Sequence, residues 1–211
     1  MSGLWEHQRH EVDEHWSDPA RALWFEPRTG KTRTTVEQVR RLIDERGVNR
    51  ILVVGPIMAL RMSWVQELRT LGVATYDLTQ GKLADRAKTL QGLRPYEDCP
   101  LPRVVLVNYE ALKALEPALL KWAPQVVIAD EAHLIKSPSA IRTRAMVKLG
   151  KQAAYRRALT GTPTPRSYTD LYAQFLFLDP TIFGTSKKRF ENELCWMHPQ
   201  WRSKVVGYKL K

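Results

Sequence analysis

Short runs of consecutive apolar, mostly β-branched residues recur along this chain, each followed by a polar turn and then a helix-like segment. The runs are Ala22-Leu23-Trp24-Phe25, Ile51-Leu52-Val53-Val54, Val104-Val105-Leu106-Val107, Val126-Val127-Ile128-Ala129 and Ala158-Leu159, with a weaker one at Val73-Ala74-Thr75-Tyr76. They are apolar on consecutive rather than alternate residues, which suits strands covered on both faces. Between them, Thr34 to Glu45 sets Val36, Val39, Leu42 and Ile43 on one helical face and stops at Gly47. Met62 to Leu71 is a second helical pattern, with Trp64, Val65 and Leu68. Strands alternating with helices predict an α/β fold with a parallel sheet and right-handed crossovers. In such sheets ligands bind beyond the carboxyl ends of the strands, so the residues after each strand matter most.

Composition narrows the classes. A length of 211 residues fits one domain. Apolar residues at 44% and charged residues at 26% exclude disorder. No apolar run approaches the ~18 residues that span a bilayer, and the N-terminus turns polar within a few residues, unlike a signal peptide. The two cysteines, Cys99 and Cys195, form no CxxC, which argues against a disulfide scaffold or a cysteine zinc site. An intracellular protein without a membrane partner is expected. Thirty-three Lys and Arg against 22 Asp and Glu give +11, which suits a polyanionic partner without proving one.

After the first run comes Glu26-Pro27-Arg28-Thr29-Gly30-Lys31-Thr32, the Gly-Lys-Thr end of a phosphate-binding loop. Gly30 lets the backbone approach a phosphate, and the free N–H groups of the following helix point at the anion. Lys31 supplies a point charge for the β- and γ-phosphates, and the Thr32 hydroxyl is a Mg²⁺ ligand. The first glycine of the full eight-residue pattern is absent, and Phe25 stands there. After Val126–Ala129 come Asp130-Glu131-Ala132-His133, two carboxylates at a strand end. Asp130 suits Mg²⁺, directly or through water, and Glu131 suits polarising the attacking water. After Ala158-Leu159, the turn Thr160-Gly161-Thr162-Pro163 offers hydroxyls that can bond the Asp130–His133 loop and sense the γ-phosphate.

These blocks, in this order, resemble the first RecA-like lobe of superfamily 2 helicases, specifically the SNF2-like DNA translocases, from about Leu4 to Tyr208. Pro56-Ile57-Met58-Ala59-Leu60 with Trp64 and Glu67 is similar to motif Ia, Val107-Asn108-Tyr109-Glu110 to motif Ib, and His133-Leu134-Ile135-Lys136 to the end of motif II. Leu159-Thr160-Gly161-Thr162-Pro163 resembles the SNF2 form of motif III. Leu171-Tyr172 through Asp179-Pro180, then Phe183-Gly184 and Phe190, match the stretch after motif III in SNF2 proteins. The resemblance implies a three-layer P-loop NTPase lobe over residues 1–182, with 183–211 leading toward a second lobe. It implies Gln8 as the adenine reader and Gln8, Thr29, Gly30, Lys31 and Thr32 as the ATP-binding set. It implies Mg²⁺ on Thr32 and Asp130, catalysis by Glu131, Asp130 and Lys31, and coupling through His133, Thr160, Gly161 and Thr162. Arg28 stands where the family usually carries another glycine, and Pro165-Arg166 replaces the usual Gln-Asn.

Helicase ATPases work in a cleft between two such lobes, and the second lobe supplies an arginine finger. No Gln-x-x-Gly-Arg-x-x-Arg element occurs in the 211 residues. The expectation is a chain that binds ATP·Mg²⁺ weakly, turns it over very slowly, and meets its second lobe in cis or in trans. The partner implied is DNA, duplex in preference, contacted at its phosphates by Arg61, Ser63, Asn108, Tyr109 and Lys136. Arg142, Arg144, Lys148, Lys151, Arg156 and Arg157 would extend that track or simply be solvated, as would Lys187-Lys188-Arg189.

Other readings compete with this one. His10-Glu11 with His15 misses His-Glu-x-x-His by one residue, so a zinc protease site is disfavoured. A non-catalytic nucleic-acid-binding module, an RNA helicase lobe and a restriction-type translocase lobe are alternatives. Trp5 could wall an adenine pocket. Trp64, Trp122, Trp196 and Trp201 read as packing residues, the last two near where a second lobe would dock.

Overall fold

The computed structural model describes residues 3–93, 101–197 and 205–208, so Cys99 and Trp201 lie outside the described residues. Six strands form one wholly parallel sheet: β1 (Ala20–Leu23), β2 (Arg50–Gly55), β3 (Ala74–Asp77), β4 (Arg103–Asn108), β5 (Val126–Asp130) and β6 (Tyr155–Leu159). Their spatial order is β1-β6-β5-β2-β4-β3. The central strand β2 pairs with β4 through Ile51↔Val104 and with β5 through Ile51↔Val126.

The consecutive apolar residues of these strands divide between two cores, as period-two geometry requires. Leu52, Val54, Val105, Val107, Val127 and Ala129 face one side, against Leu112, Leu115 and Leu119 of α6 (Leu112–Trp122) and Met146 and Leu149 of α7 (Ile141–Gln152). Ile51, Val53, Val104, Leu106, Val126 and Ile128 face the other, against Val36, Val39 and Leu42 of α2 (Lys31–Arg46) and Leu60, Trp64 and Leu68. The result is the expected helix–sheet–helix sandwich, with α1 (Glu6–His15) beside α2.

Several element boundaries differ from the sequence reading. β1 ends at Leu23, and Trp24, 39% exposed, already belongs to the phosphate loop. The second helical pattern begins earlier, at α3 (Ile57–Ala59). It widens to a π turn over Leu60–Trp64, continues as α4 (Val65–Leu68) and tightens over Arg69–Leu71, and α5 (Leu83–Gly92) follows β3. π turns of this kind are frequent at functional sites. Beyond β6, α8 (Asp170–Leu178) and α9 (Pro180–Phe183) are followed by α10 (Lys187–Leu194) and a β7–β8 ladder (Cys195–Met197 with Val205–Tyr208). The 182/183 division falls inside α9, and the Phe183 ring packs 4.9 Å from Phe175 and 5.0 Å from Phe190. Trp64 and Trp122 are buried as expected. Among the described residues no helix is long and apolar enough to cross a membrane.

The basic track over residues 142–157 needs a correction. Arg157 is 1% exposed, and its guanidinium donates to the carbonyls of Trp16 (2.7 Å), Asp18 (2.8 Å) and Arg156 (3.0 Å) and to Gln38 Oε1 (2.9 Å). Burial pushes its pKa down to about 10. Arg156 donates to the carbonyls of Leu178, Gly150 and Ala153. Both arginines hold β6 to neighbouring backbone and are not offered to a polyanion. Arg142 and Arg144 are exposed, while Lys148 pairs with Glu116.

Candidate functional site

The phosphate loop runs from the end of β1 to the start of α2. Gly30 stands at the N-cap with φ 85°, and a Cβ there would meet Gln8 Nε2 at 2.2 Å, so only glycine fits. Gln8 is 3% exposed. Its Nε2 donates to the Thr29 carbonyl at 2.9 Å and its Oε1 accepts from Trp5 N at 3.0 Å. The residue expected to read adenine is thus fastened to the phosphate loop, with both ends of its amide engaged. Lys31 Nζ donates to the Phe25 and Glu26 carbonyls at 3.0 and 3.1 Å, so its ammonium reaches back across the loop. Arg28 adopts φ 66°, a left-handed conformation that costs a non-glycine residue about 1–2 kcal/mol. Glycine there would adopt the same backbone without strain.

Asp130 ends β5 and is 6% exposed. Trp64 Nε1–H donates to its Oδ2 at 2.9 Å, and the Glu131 N–H donates to its Oδ1 at 3.1 Å. Gly55, at the end of β2, makes room for it, because a Cβ there would lie 3.0 Å from Asp130 Cβ. Burial pushes Asp130 up to about 6, against the pull of the Trp64 hydrogen bond. Glu131 also sits in left-handed backbone, φ 52°. Its Oε2 lies 3.0 Å from His133 Nδ1 and accepts from Thr160 Oγ1 at 3.4 Å. His133 Nδ1 and Thr160 Oγ1 are 3.0 Å apart, and Thr162 N donates to Thr160 Oγ1 at 3.1 Å. Gly161 packs on the phosphate loop, where a Cβ would meet Pro27 Cδ at 3.0 Å. The residues expected to couple the two loops therefore touch both.

A cleft of about 380 Å³ brings these parts together, lined by Arg28, Gly30, Lys31, Thr32, Asp130 and Glu131, with Ser63 and Glu67 also on its lining. Its donors are a hydroxyl and carboxylates, the hard oxygen ligands that Mg²⁺ takes. The residues present therefore fit a Mg²⁺-bound polyphosphate. Two contributors escaped the sequence reading: Trp64, read only as core, and Gly55, for which only its place at a strand end was a signal.

The nucleic-acid candidates divide. Arg61 is exposed and lies 3.5 Å from Asp77. Lys136 is half-buried. Ser63 lines the cleft itself. Asn108 and Tyr109 face inward, contrary to expectation. Asn108 is 6% exposed, donates to Glu110 Oε2 and accepts from Arg86. Tyr109 is 3% exposed and its hydroxyl donates to the Asp130 carbonyl at 2.9 Å. Burial raises its pKa well above the usual range. Neither side chain is placed to meet a phosphate; Tyr109 instead braces the Asp130 backbone. The zinc alternative finds its residues engaged elsewhere: Glu11, the general base in such a site, pairs with Arg21, and His15, one of its ligands, with Asp18.

Comparison with known proteins gives a consistent picture. The family described as the SNF2-related domain matches residues 22–200. Zorya protein ZorD of Escherichia coli is 34% identical over 82 residues, which is 39% of this chain and 7% of that protein. The DNA repair and recombination protein RAD54-like of Drosophila ananassae is 30% identical over 94 residues, 43% of this chain and 12% of that protein. The fold is similar to the Sulfolobus solfataricus SWI2/SNF2 ATPase core solved in complex with dsDNA. The TM-score is 0.74 at 24% identity, over 92% of this chain and 39% of that one. The chain thus spans a small part of these curated relatives.

Proposed function

The chain belongs to the SNF2-related domain family, and from that premise we propose that it is the ATP-binding lobe of an ATP-dependent DNA translocase. One observation carries the reading: Lys31 and Thr32 after β1 and Asp130 and Glu131 at the end of β5, about a hundred residues apart in sequence, line a single cleft. In this reading the α2 N-terminus and Lys31 hold the β- and γ-phosphates. Thr32 and Asp130 hold Mg²⁺, which when bound neutralises charge on the phosphates. Glu131 orients the attacking water. Its contacts to His133 and Thr160 tie its carboxylate to the turn at Thr160–Thr162, giving the γ-phosphate a route to influence that turn. Gln8 fixes the loop, and reading adenine requires its amide to exchange a main-chain partner for the base. Arg61 and Lys136 contact the backbone of duplex DNA, with little sequence information.

These residues contain no arginine finger of a second lobe, and such a finger contributes ~10³–10⁵ in rate. The chain alone therefore binds ATP·Mg²⁺ weakly and turns it over slowly until a second lobe closes on the cleft. Retention of Lys31, Thr32, Asp130 and Glu131 together weighs against a non-catalytic module. ATP turnover by the chain, with and without duplex DNA, single strands and RNA, tests the reading. Turnover barely above background is expected, and brisk DNA-stimulated hydrolysis by the chain alone would contradict the half-site view.

A further inference from the structure

The phosphate loop carries a residue whose chemistry the proposed function leaves unused. Arg28 lines the cleft with Lys31, Thr32, Asp130 and Glu131. It is exposed, and no hydrogen bond or ion pair engages its guanidinium among the described residues. Its backbone has φ 66°, two residues before Gly30 at φ 85°. The curl of the loop imposes that conformation, and glycine would adopt it without strain. Arginine gains no polar partner locally in exchange, since among the described residues its guanidinium meets no carboxylate. Left-handed non-glycine residues concentrate at ligand-binding and active sites, where the strain is offset by function.

Charge points the same way. The cleft walls hold Asp130, Glu131 and Glu67, while the Lys31 ammonium is turned onto loop carbonyls. Arg33 also lines the cleft but already has a partner. A triphosphate that keeps net negative charge after binding Mg²⁺ would find the Arg28 guanidinium uncommitted among the described residues. A planar guanidinium matches two phosphate oxygens at once, which an ammonium does not.

We infer that Arg28 is a phosphate-binding residue of this cleft, adding to Lys31 a second cation from the same loop. The inference rests on the reading of the cleft as an ATP site. It assigns to this chain's own phosphate loop a guanidinium contact that a glycine there cannot make.

Glycine at position 28 makes the test sharp, because it should move stability and binding in opposite directions. The full 211-residue chain is titrated with a fluorescent ATPγS analogue in Mg²⁺, beside Arg28→Gly, Arg28→Gln, Arg28→Lys and Lys31→Ala. Arg28→Gly is expected to melt roughly 2–4 °C higher by strain relief. It should bind the analogue about tenfold more weakly, the worth of one charge-assisted hydrogen bond. Arg28→Gln should lose binding to a similar degree without the gain in melting temperature, and Arg28→Lys should lose less. Raising salt should narrow the difference between wild type and Arg28→Gln. If Lys31→Ala loses binding while Arg28→Gly binds as tightly as wild type, the inference is wrong and the ATP site stands. If wild type shows no Mg²⁺-dependent binding that Lys31→Ala removes, both fall together.

Discussion

Replacing Asp130 with Asn should make the metal-free protein more stable, and the gain should depend on pH. An ordinary aspartate titrates near 3.8, and burial holds Asp130 at about 6. Between those values the folded protein binds the proton more tightly than the unfolded chain does. Stability therefore falls as pH rises from about 4 to about 6, and stays lower above that. The gap corresponds to about 3 kcal/mol once the carboxylate is ionised in both states. An asparagine in its place would carry no charge, but it offers one oxygen where Asp130 uses two, for Trp64 Nε1–H and for Glu131 N–H. Losing one of those bonds costs about 1 kcal/mol. The net expectation for Asp130→Asn at pH 8 without Mg²⁺ is a gain of about 2 kcal/mol, or about 4–8 °C in melting temperature for a chain of this size. Urea unfolding followed by far-UV circular dichroism from pH 4 to pH 8 measures it directly. The advantage should vanish by pH 4. A variant less stable than wild type at pH 8, or a difference independent of pH, would refute the idea that a buried carboxylate is kept here at the expense of the fold.

Three further predictions concern residues read as nucleic-acid contacts, of which the structure buries Arg157 and Tyr109 and leaves Arg61 exposed. Arg157→Met should destabilise the fold by about 2–3 kcal/mol, because it strands Gln38 and three backbone carbonyls; urea denaturation checks this, and a loss under about 1 kcal/mol would mean that water replaces the guanidinium. In duplex-DNA binding, Arg61→Ala should lower the slope of log affinity against log salt by ~0.9. Tyr109→Phe should leave that slope unchanged and cost about 1 kcal/mol of stability through the lost bond to the Asp130 carbonyl.

Most of the fold was legible because a parallel sheet buried on both faces writes itself as runs of consecutive Val, Ile and Leu, and β2, β4 and β5 follow those runs within a residue or two. The phosphate loop and the Asp130-Glu131 pair were legible because each follows a strand, which is where this architecture gathers chemistry. The direction of side chains next to those motifs was not legible. Asn108 ends β4 and Tyr109 follows it, where a nucleic-acid contact would stand, yet both side chains are buried; no linear pattern distinguishes the two outcomes. Arg157 counted toward the basic surface because charge in a sequence carries no depth. Only its partners, from Trp16 to Gln38, show it as a buried clasp. Trp64 was legible as core but not as a donor, since its partner Asp130 lies 66 residues away. The strain at Arg28 was foreshadowed by a missing glycine, and the structure supplies the reason.

Equilibrium binding of Mg·ATP to the 211-residue chain, compared with Lys31→Ala, tests most directly the claim that this is the nucleotide-holding half of a DNA motor. Saturable binding that weakens when Mg²⁺ is chelated and is abolished by Lys31→Ala is the predicted result. Binding indifferent to both Mg²⁺ and Lys31, or no binding at millimolar nucleotide, would contradict it.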